Sequence, residues 1–248
     1  MKPSPHAPGL FDAFTGPVKP PSSPGLDPFL GSKVSRAMWR ACMMDPNWNE
    51  RGGGKSKRGA DKHYKTADVR KIRQCILGSG LWMPYPDAHL FMWYTDNFLL
   101  DALWLTNELG FTYKRTFQWG KIRGLPMALD FDTGLACVPH DGELETRDGI
   151  GQYARGAHEG MIFATRGRGM SPSVYRERKD IPSLVLAPHV MRGGKRVHSA
   201  KPDAFYELVE ARSHGPYLEM FARRGRPGWQ SWGDEAPEEA EDAATTHP

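Results

Sequence analysis

A chain of 248 residues, 39% hydrophobic and 25% charged, has material for one α/β domain with a sizeable core. No run approaches the roughly 18 apolar residues of a membrane span, and the N-terminus lacks the basic-then-apolar order of a signal peptide. Cys42, Cys75 and Cys137 stand too far apart for metal-ligand or redox pairing, so a cytoplasmic protein without a metal is expected.

Charge is uneven along the chain. Asp234 to Pro248 carries six acids and no Lys or Arg, so residues 1–233 hold 33 Lys and Arg against 23 acids (29 − 6), a net +10 where the whole chain has +4. A basic body of this kind fits a polyanionic partner, although surplus Lys and Arg also serve solubility. The first 28 residues hold 8 of the 21 prolines and little apolar periodicity, and read as a disordered arm. The expected organisation is therefore an arm over 1–28, a folded domain over 29–235 and an acidic disordered tail over 236–248.

Ala37 to Met44 reads as a buried strand that stops at Asp45-Pro46. Glu50 to Lys65, rich in Gly, Lys and Arg, reads as a mobile basic loop. Thr66 caps an expected helix over Ala67 to Leu77, where Val69, Ile72 and Ile76 share a face. His89 to Thr95 is a continuous apolar run, typical of a strand covered on both sides. A helix over Asn97 to Leu109 follows, with Gly110 as its stop, and Phe111 to Trp119 is the next strand.

Between Gly120 and Tyr153 the signals fade into Gly, Pro and mixed charge. Gly160 to Thr165 and Ser183 to Ala187 are short strands, Pro202 to Ser213 a helix opened by Pro202 and Asp203, and Tyr217 to Phe221 a final strand. Alternation of this kind implies a mostly parallel sheet with helices on both faces, whose ligands sit at the carboxyl ends of the strands.

Asp45-Pro46-Asn47-Trp48 places an acceptor, a rigid turn and a flat aromatic just past the first strand. The adenine amine is a poor nucleophile because its lone pair is spread into the ring. Two acceptors holding its protons, the Asp45 carboxylate and the Pro46 carbonyl, localise and aim that lone pair, and Trp48 offers a face on which an extruded base can stack. An Asp-Pro turn followed by a core Trp is the plainer reading of the same residues.

Gly52-Gly53-Gly54-Lys55-Ser56 has the look of a phosphate loop, but the required glycine five places earlier is Asn49, and the spacing fails. Arg51, Lys55, Lys57 and Arg58 make better sense as phosphate contacts on a nucleic acid strand, a solvated flexible loop being the alternative. Zinc deamination needs a Cys-x-x-Cys pair that is absent, and His63, His158 and His198 lack metal-ligand spacing.

Further landmarks follow in order: His63-Tyr64, Phe91-Met92-Trp93, Leu109-Gly110-Phe111 before Trp119-Gly120-Lys121, His158-Glu159 before Ile162-Phe163, and His198-Ser199-Ala200-Lys201-Pro202-Asp203. Glu219-Met220-Phe221-Ala222-Arg223 then runs into Pro227-Gly228-Trp229 and Trp232-Gly233-Asp234-Glu235. With Asp45-Pro46-Asn47-Trp48 at their head, these residues make the stretch from Met38 to Glu235 resemble the S-adenosylmethionine-dependent N(6)-adenine methyltransferases. That family is related to the catalytic subunit of the eukaryotic messenger-RNA adenine methyltransferase and includes bacterial and phage DNA enzymes.

The resemblance implies a Rossmann-like methyltransferase fold in permuted order, the catalytic strand preceding the cofactor strand. It implies Asp45, Pro46, Asn47 and Trp48 as the catalytic loop. It groups Asp45, Lys201, Glu219, Phe221, Ala222, Arg223, Asp234 and Glu235 around S-adenosylmethionine. Lys201 matches the lysine that contacts the cofactor's charged tail; Arg223 and Asp234-Glu235 match positions near the ribose, where Asn-Gln or Asn-Glu is more usual. Asn47 stands where the family usually has a second proline, which loosens the loop without removing either acceptor. The implied substrate is DNA by likeness to the bacterial and phage members. RNA, and a catalytically impaired nucleic-acid-binding relative, are the alternatives, and monomer and dimer both remain open.

Overall fold

The computed structural model describes residues 38–48, 68–122, 128–130, 135–137, 156–178, 180–193, 195–197 and 199–233. The proline-rich arm, the basic loop with Arg51, Lys55, Lys57 and Arg58, the acidic tail, and His63, His198, Asp234 and Glu235 lie outside the described residues.

Strand β1 (Trp39–Met44) ends where Asp45-Pro46 ends its apolar run. Helix α1 (Val69–Gly78) starts at Asp68, whose carboxylate accepts the Arg70 N–H at 2.7 Å. The described helix thus begins two residues past the expected Ala67, and its cap is an Asp beside a helix N-terminus, where a negative charge is favoured. Ile72 and Ile76, one turn apart, are its buried face. Strand β2 (Pro84–Tyr94) is longer than its apolar core, all of which is buried from Ala88 onward.

A single 3₁₀ turn over Asp96–Phe98 leads into α2 (Leu99–Glu108). Gly110, with φ of +82°, takes the left-handed backbone that ends the helix and opens β3 (Thr112–Lys121). Two short strands, β4 (Ala128–Asp130) and β5 (Leu135–Cys137), pair antiparallel inside the stretch where the sequence carries no element signal.

Next come β6 (His158–Arg166), β7 (Leu184–Ala187), a hairpin of β8 (Met191–Arg192) and β9 (Lys195–Arg196), helix α3 (Asp203–Arg212), β10 (Tyr217–Met220) and β11 (Trp229–Trp232). The hairpin and β11 are additions to the expected list. Their strands are two and four residues long, too short for a period to emerge.

Seven strands form one sheet in the order β11-β10-β1-β2-β6-β3-β7. β6 runs antiparallel to both β2 and β3, and every other neighbouring pair is parallel. Alternation along β1 divides the core: Cys42 and Met44 face α1 and α2 with Leu90, Met92, Ile162 and Leu105, while Ala41 and Met43 face α3 with Phe91, Trp93, Phe205 and Leu208. Each fully buried large side chain in these layers contributes ~1.5–3 kcal/mol.

The fold is α/β and Rossmann-like, with helices on both faces. The chain leaves β1 toward α1 on one face and returns to β10 from α3 on the other, so the sheet's switch point falls between β1 and β10. The crevice at their carboxyl ends is where such sheets hold ligands.

Candidate active site

Asp45 leaves the end of β1 beside Met220, whose carbonyl accepts the Asp45 N–H at 3.4 Å. It opens onto a cavity of about 350 Å³ lined by Met43, Trp93, Lys201, Glu219, Phe221 and Arg223, with Tyr206, Arg224 and Arg192 also on its wall. Five residues that the resemblance grouped from distant parts of the sequence, Asp45, Lys201, Glu219, Phe221 and Arg223, thus line one cavity. Ala222 is buried behind the wall, its N–H donating to the Trp232 carbonyl at 2.9 Å.

Lys201 sits just before α3 with its side chain 9% exposed. Its Nζ lies 3.1 Å from Asp45 Oδ2 and 2.8 Å from Glu159 Oε2, and 4.9 Å from the centre of the Trp93 ring. Its ammonium is thus held by two carboxylates of the protein itself, where the expected partner was the cofactor's tail. Glu159 in turn accepts from Lys121 Nζ at 2.7 Å. Register explains that pairing, because Trp119 lies opposite Glu159 and the Lys121 N–H bonds the Ala157 carbonyl.

The electrostatics follow from this alternation of sign. Burial alone raises Glu159, but the ammonium groups of Lys201 and Lys121 outweigh it and bring its carboxyl down to about 2. Burial likewise works against the Lys201 ammonium, and Asp45 and Glu159 together overcome it and raise its pKa. Asp45 is raised from the usual carboxylate range, chiefly by burial and further by Glu159, with Lys201 and Arg223 pulling the other way.

Glu219 is different: burial pushes it up to about 7, repulsion from Asp45 adds to this, and the Tyr206 hydroxyl, donating to Oε1 at 2.7 Å, opposes it. Its other oxygen, Oε2, is buried and has no hydrogen-bond partner among the described residues. Burial of one unsatisfied acceptor costs ~1–3 kcal/mol.

In the Asp45-Pro46-Asn47-Trp48 loop the aromatic packs inward. Trp48 is 6% exposed, stacks on Phe98 at 5.7 Å between ring centres, and donates its indole N–H to the Trp93 carbonyl at 3.1 Å. An indole so engaged anchors the loop to β2 instead of offering a stacking face, which is the plainer reading of that aromatic. The Trp48 N–H donates to the Pro46 carbonyl at 2.9 Å, a three-residue turn centred on Asn47. One lone pair of the Pro46 oxygen is therefore already used, and the second remains.

Two non-glycine residues flank the cavity in left-handed backbone, Ser199 with φ of +61° and Phe221 with φ of +62°. Such conformations cost ~1–3 kcal/mol each and persist only where surroundings enforce them. At Phe221 the enforcement is visible: Gly233 packs so closely behind that a Cβ there would collide with the Ala222 carbonyl oxygen.

Lys121, Glu159 and Trp93 entered the sequence reading only as landmarks, and Tyr206 and Arg192 not at all. Their roles depend on which strand ends meet, and no local pattern carries that. Among the described residues no three His, Cys, Asp or Glu side chains gather as metal ligands, and no helix is long and apolar enough to cross a membrane.

Residues 138–235 match the MT-A70 family profile. That match spans 98 of the chain's 248 residues. MT-A70 proteins are S-adenosylmethionine-dependent adenine methyltransferases. No curated protein matches the chain at a significant level. The matched segment includes Glu159, Lys201, Glu219 and Arg223 and stops short of Asp45, which the Lys201 ion pair joins to it.

The cavity fits the cofactor of MT-A70 proteins. S-adenosylmethionine carries an ammonium, a carboxylate, a sulfonium and ribose hydroxyls. The wall supplies the acceptors Asp45 and Glu219, the cations Arg192 and Arg223, and the rings of Phe221 and Trp93. The size lies within the ~300–1,000 Å³ of small-molecule sites.

Proposed function

We propose that the protein methylates the exocyclic amine of adenine in DNA, with Asp45 as the residue that orients the amine. The observation that supports this reading is the place of Asp45: at the end of the central strand, open to the cavity, with one carboxylate oxygen held by Lys201. The other oxygen accepts one amine proton and the free lone pair of the Pro46 carbonyl accepts the second, so the nitrogen lone pair points into the cavity.

Glu219 and Arg223 hold the cofactor from the β10 side, and Phe221 closes the wall beside it. When bound, the cofactor would supply an electrophilic methyl group on its sulfonium, and Asp45 would take up the proton that the methylated amine gives off and pass it to solvent. Burial of Asp45 keeps water from competing for that carboxylate and strengthens its pull on the amine.

DNA as the substrate rests on the likeness to bacterial and phage enzymes, and the net +10 of residues 1–233 suits any nucleic acid. The test is to express the protein and its Asp45→Ala variant, digest host DNA and RNA separately to nucleosides, and measure N(6)-methyladenosine species by mass spectrometry. The expected result is methylated adenine in the DNA pool with wild type only. Methylation confined to RNA replaces the substrate, and no methylation in either pool, with cofactor binding intact, favours the impaired nucleic-acid-binding relative.

A further inference from the structure

Four side chains of alternating sign form one row across the carboxyl end of the sheet. Lys121 at the end of β3 donates to Glu159 at 2.7 Å, Glu159 at the start of β6 accepts from Lys201 at 2.8 Å, and Lys201 reaches Asp45 at 3.1 Å. The four side chains are between 9% and 22% exposed. Formally the row is neutral, so it can sit in the protein where a lone charge cannot. Asp45 and Lys201 line the cavity of the proposed reaction; Glu159 and Lys121 do not. Lys121 lies beyond Glu159, outside the cavity wall, and touches nothing that a substrate or cofactor there would touch.

A flexible lysine with a single anionic partner samples many positions. Clamped between two carboxylates over an aromatic ring, Lys201 has one. We propose that Lys121 and Glu159 are positioning residues for the methyl transfer: through Lys201 they fix which oxygen of Asp45 is tied to the protein and which is left for the adenine amine. This rests on the methyltransferase reading above and adds two residues to it that touch neither reactant.

The row also sets the charge around Asp45. The groups facing it are Lys201 from the segment before α3, Glu159 from β6, and Glu219 and Arg223 from β10 and the turn that follows. Lys201 and Arg223 favour its carboxylate, whereas Glu159 disfavours it. Removal of Lys201 and removal of Glu159 must therefore move the titration of Asp45 in opposite directions. A merely structural role for the row makes no such demand.

The experiment compares wild type with Glu159→Gln, Lys201→Met, Lys121→Met and Lys121→Arg. The Asp45 carboxyl is followed by ¹³C resonance against pH, assigned with Asp45→Asn, and single-turnover rate, cofactor affinity and melting temperature are measured alongside. Lys201→Met should raise the Asp45 midpoint and Glu159→Gln lower it. Glu159→Gln and Lys121→Met should each slow the transfer step tenfold or more with cofactor affinity within about threefold, and Lys121→Arg should restore most of the rate.

Rates and pH profiles of Glu159→Gln and Lys121→Met that superimpose on wild type overturn the proposal, whatever the melting temperatures. Midpoints that move together, or not at all, overturn it equally. If wild type transfers nothing to adenine while the midpoints diverge as expected, the methyltransferase reading fails and the row remains as a charge network without a catalytic task.

Discussion

Asp45→Asn is the sharpest perturbation, because the structure fixes which way the new amide must face. Lys201 Nζ lies 3.1 Å from Asp45 Oδ2 and demands an acceptor there. The oxygen of the introduced amide turns to that ammonium, and its NH₂ group is left facing the cavity, where the adenine amine also presents a donor. A hydrogen bond to a charged acceptor, ~1.5–3 kcal/mol, is lost and an unmatched donor costing ~1–3 kcal/mol takes its place; together roughly 3–6 kcal/mol in the transition state, or about 10²–10⁴ in rate. Lys201 keeps Glu159, so folding should suffer little.

The assay is single-turnover transfer from tritiated cofactor to an adenine-containing duplex, with calorimetric cofactor binding measured on the same preparations. The expected outcome is the stated loss of rate with binding within a few-fold of wild type. A rate within tenfold of wild type refutes the assignment of Asp45 as acceptor for the amine.

Asn47→Pro should leave transfer intact and raise stability by ~0.4–1 kcal/mol, since the turn centred there lies outside the positive-φ residues and the Asn47 N–H makes no backbone bond among the described residues; a fall in both rate and melting temperature contradicts this. His89 is fully buried, its ring nitrogens bonded to Ser213 Oγ and the Gly169 carbonyl, and burial lowers its pKa to about 4. Its folded value lies below the unfolded one, so the unfolded chain binds more protons between pH 6.5 and 4. That contribution, ~3 kcal/mol, is present above pH 6.5 and is lost as pH falls to 4. Urea unfolding across this range should show the loss, and His89→Gln should flatten that part of the profile. Because burial pushes the Glu219 carboxyl up to about 7, cofactor affinity should rise from pH 6 to 8 as its carboxylate forms, and Glu219→Gln should abolish that slope in calorimetry. Gly233→Ala drives a Cβ against the Ala222 backbone and should weaken cofactor binding and lower the melting temperature together; unchanged binding would show that the Phe221 turn tolerates displacement.

Periodicity in the sequence determined the elements that are long enough to repeat. The buried run of β2, the Ile72–Ile76 face of α1 and the stop at Gly110 follow from local side-chain pattern and backbone chirality. The position of Asp45 just past an apolar strand was equally legible, because strand ends are marked by composition. Trp48 was not. Its indole is a stacking face or a core anchor depending only on whether Phe98 and the Trp93 carbonyl lie against it, 45 residues or more down the chain.

The row from Lys121 to Asp45 belongs wholly to the tertiary structure. Four ordinary charged residues at 45, 121, 159 and 201 become one buried network only when β6 inserts antiparallel between β2 and β3 and brings Glu159 between two lysines. Sequence sets the charge of each residue. The energy of a charge depends on its neighbours within a few ångströms and on the solvent excluded around it, and both are properties of the packed sheet alone.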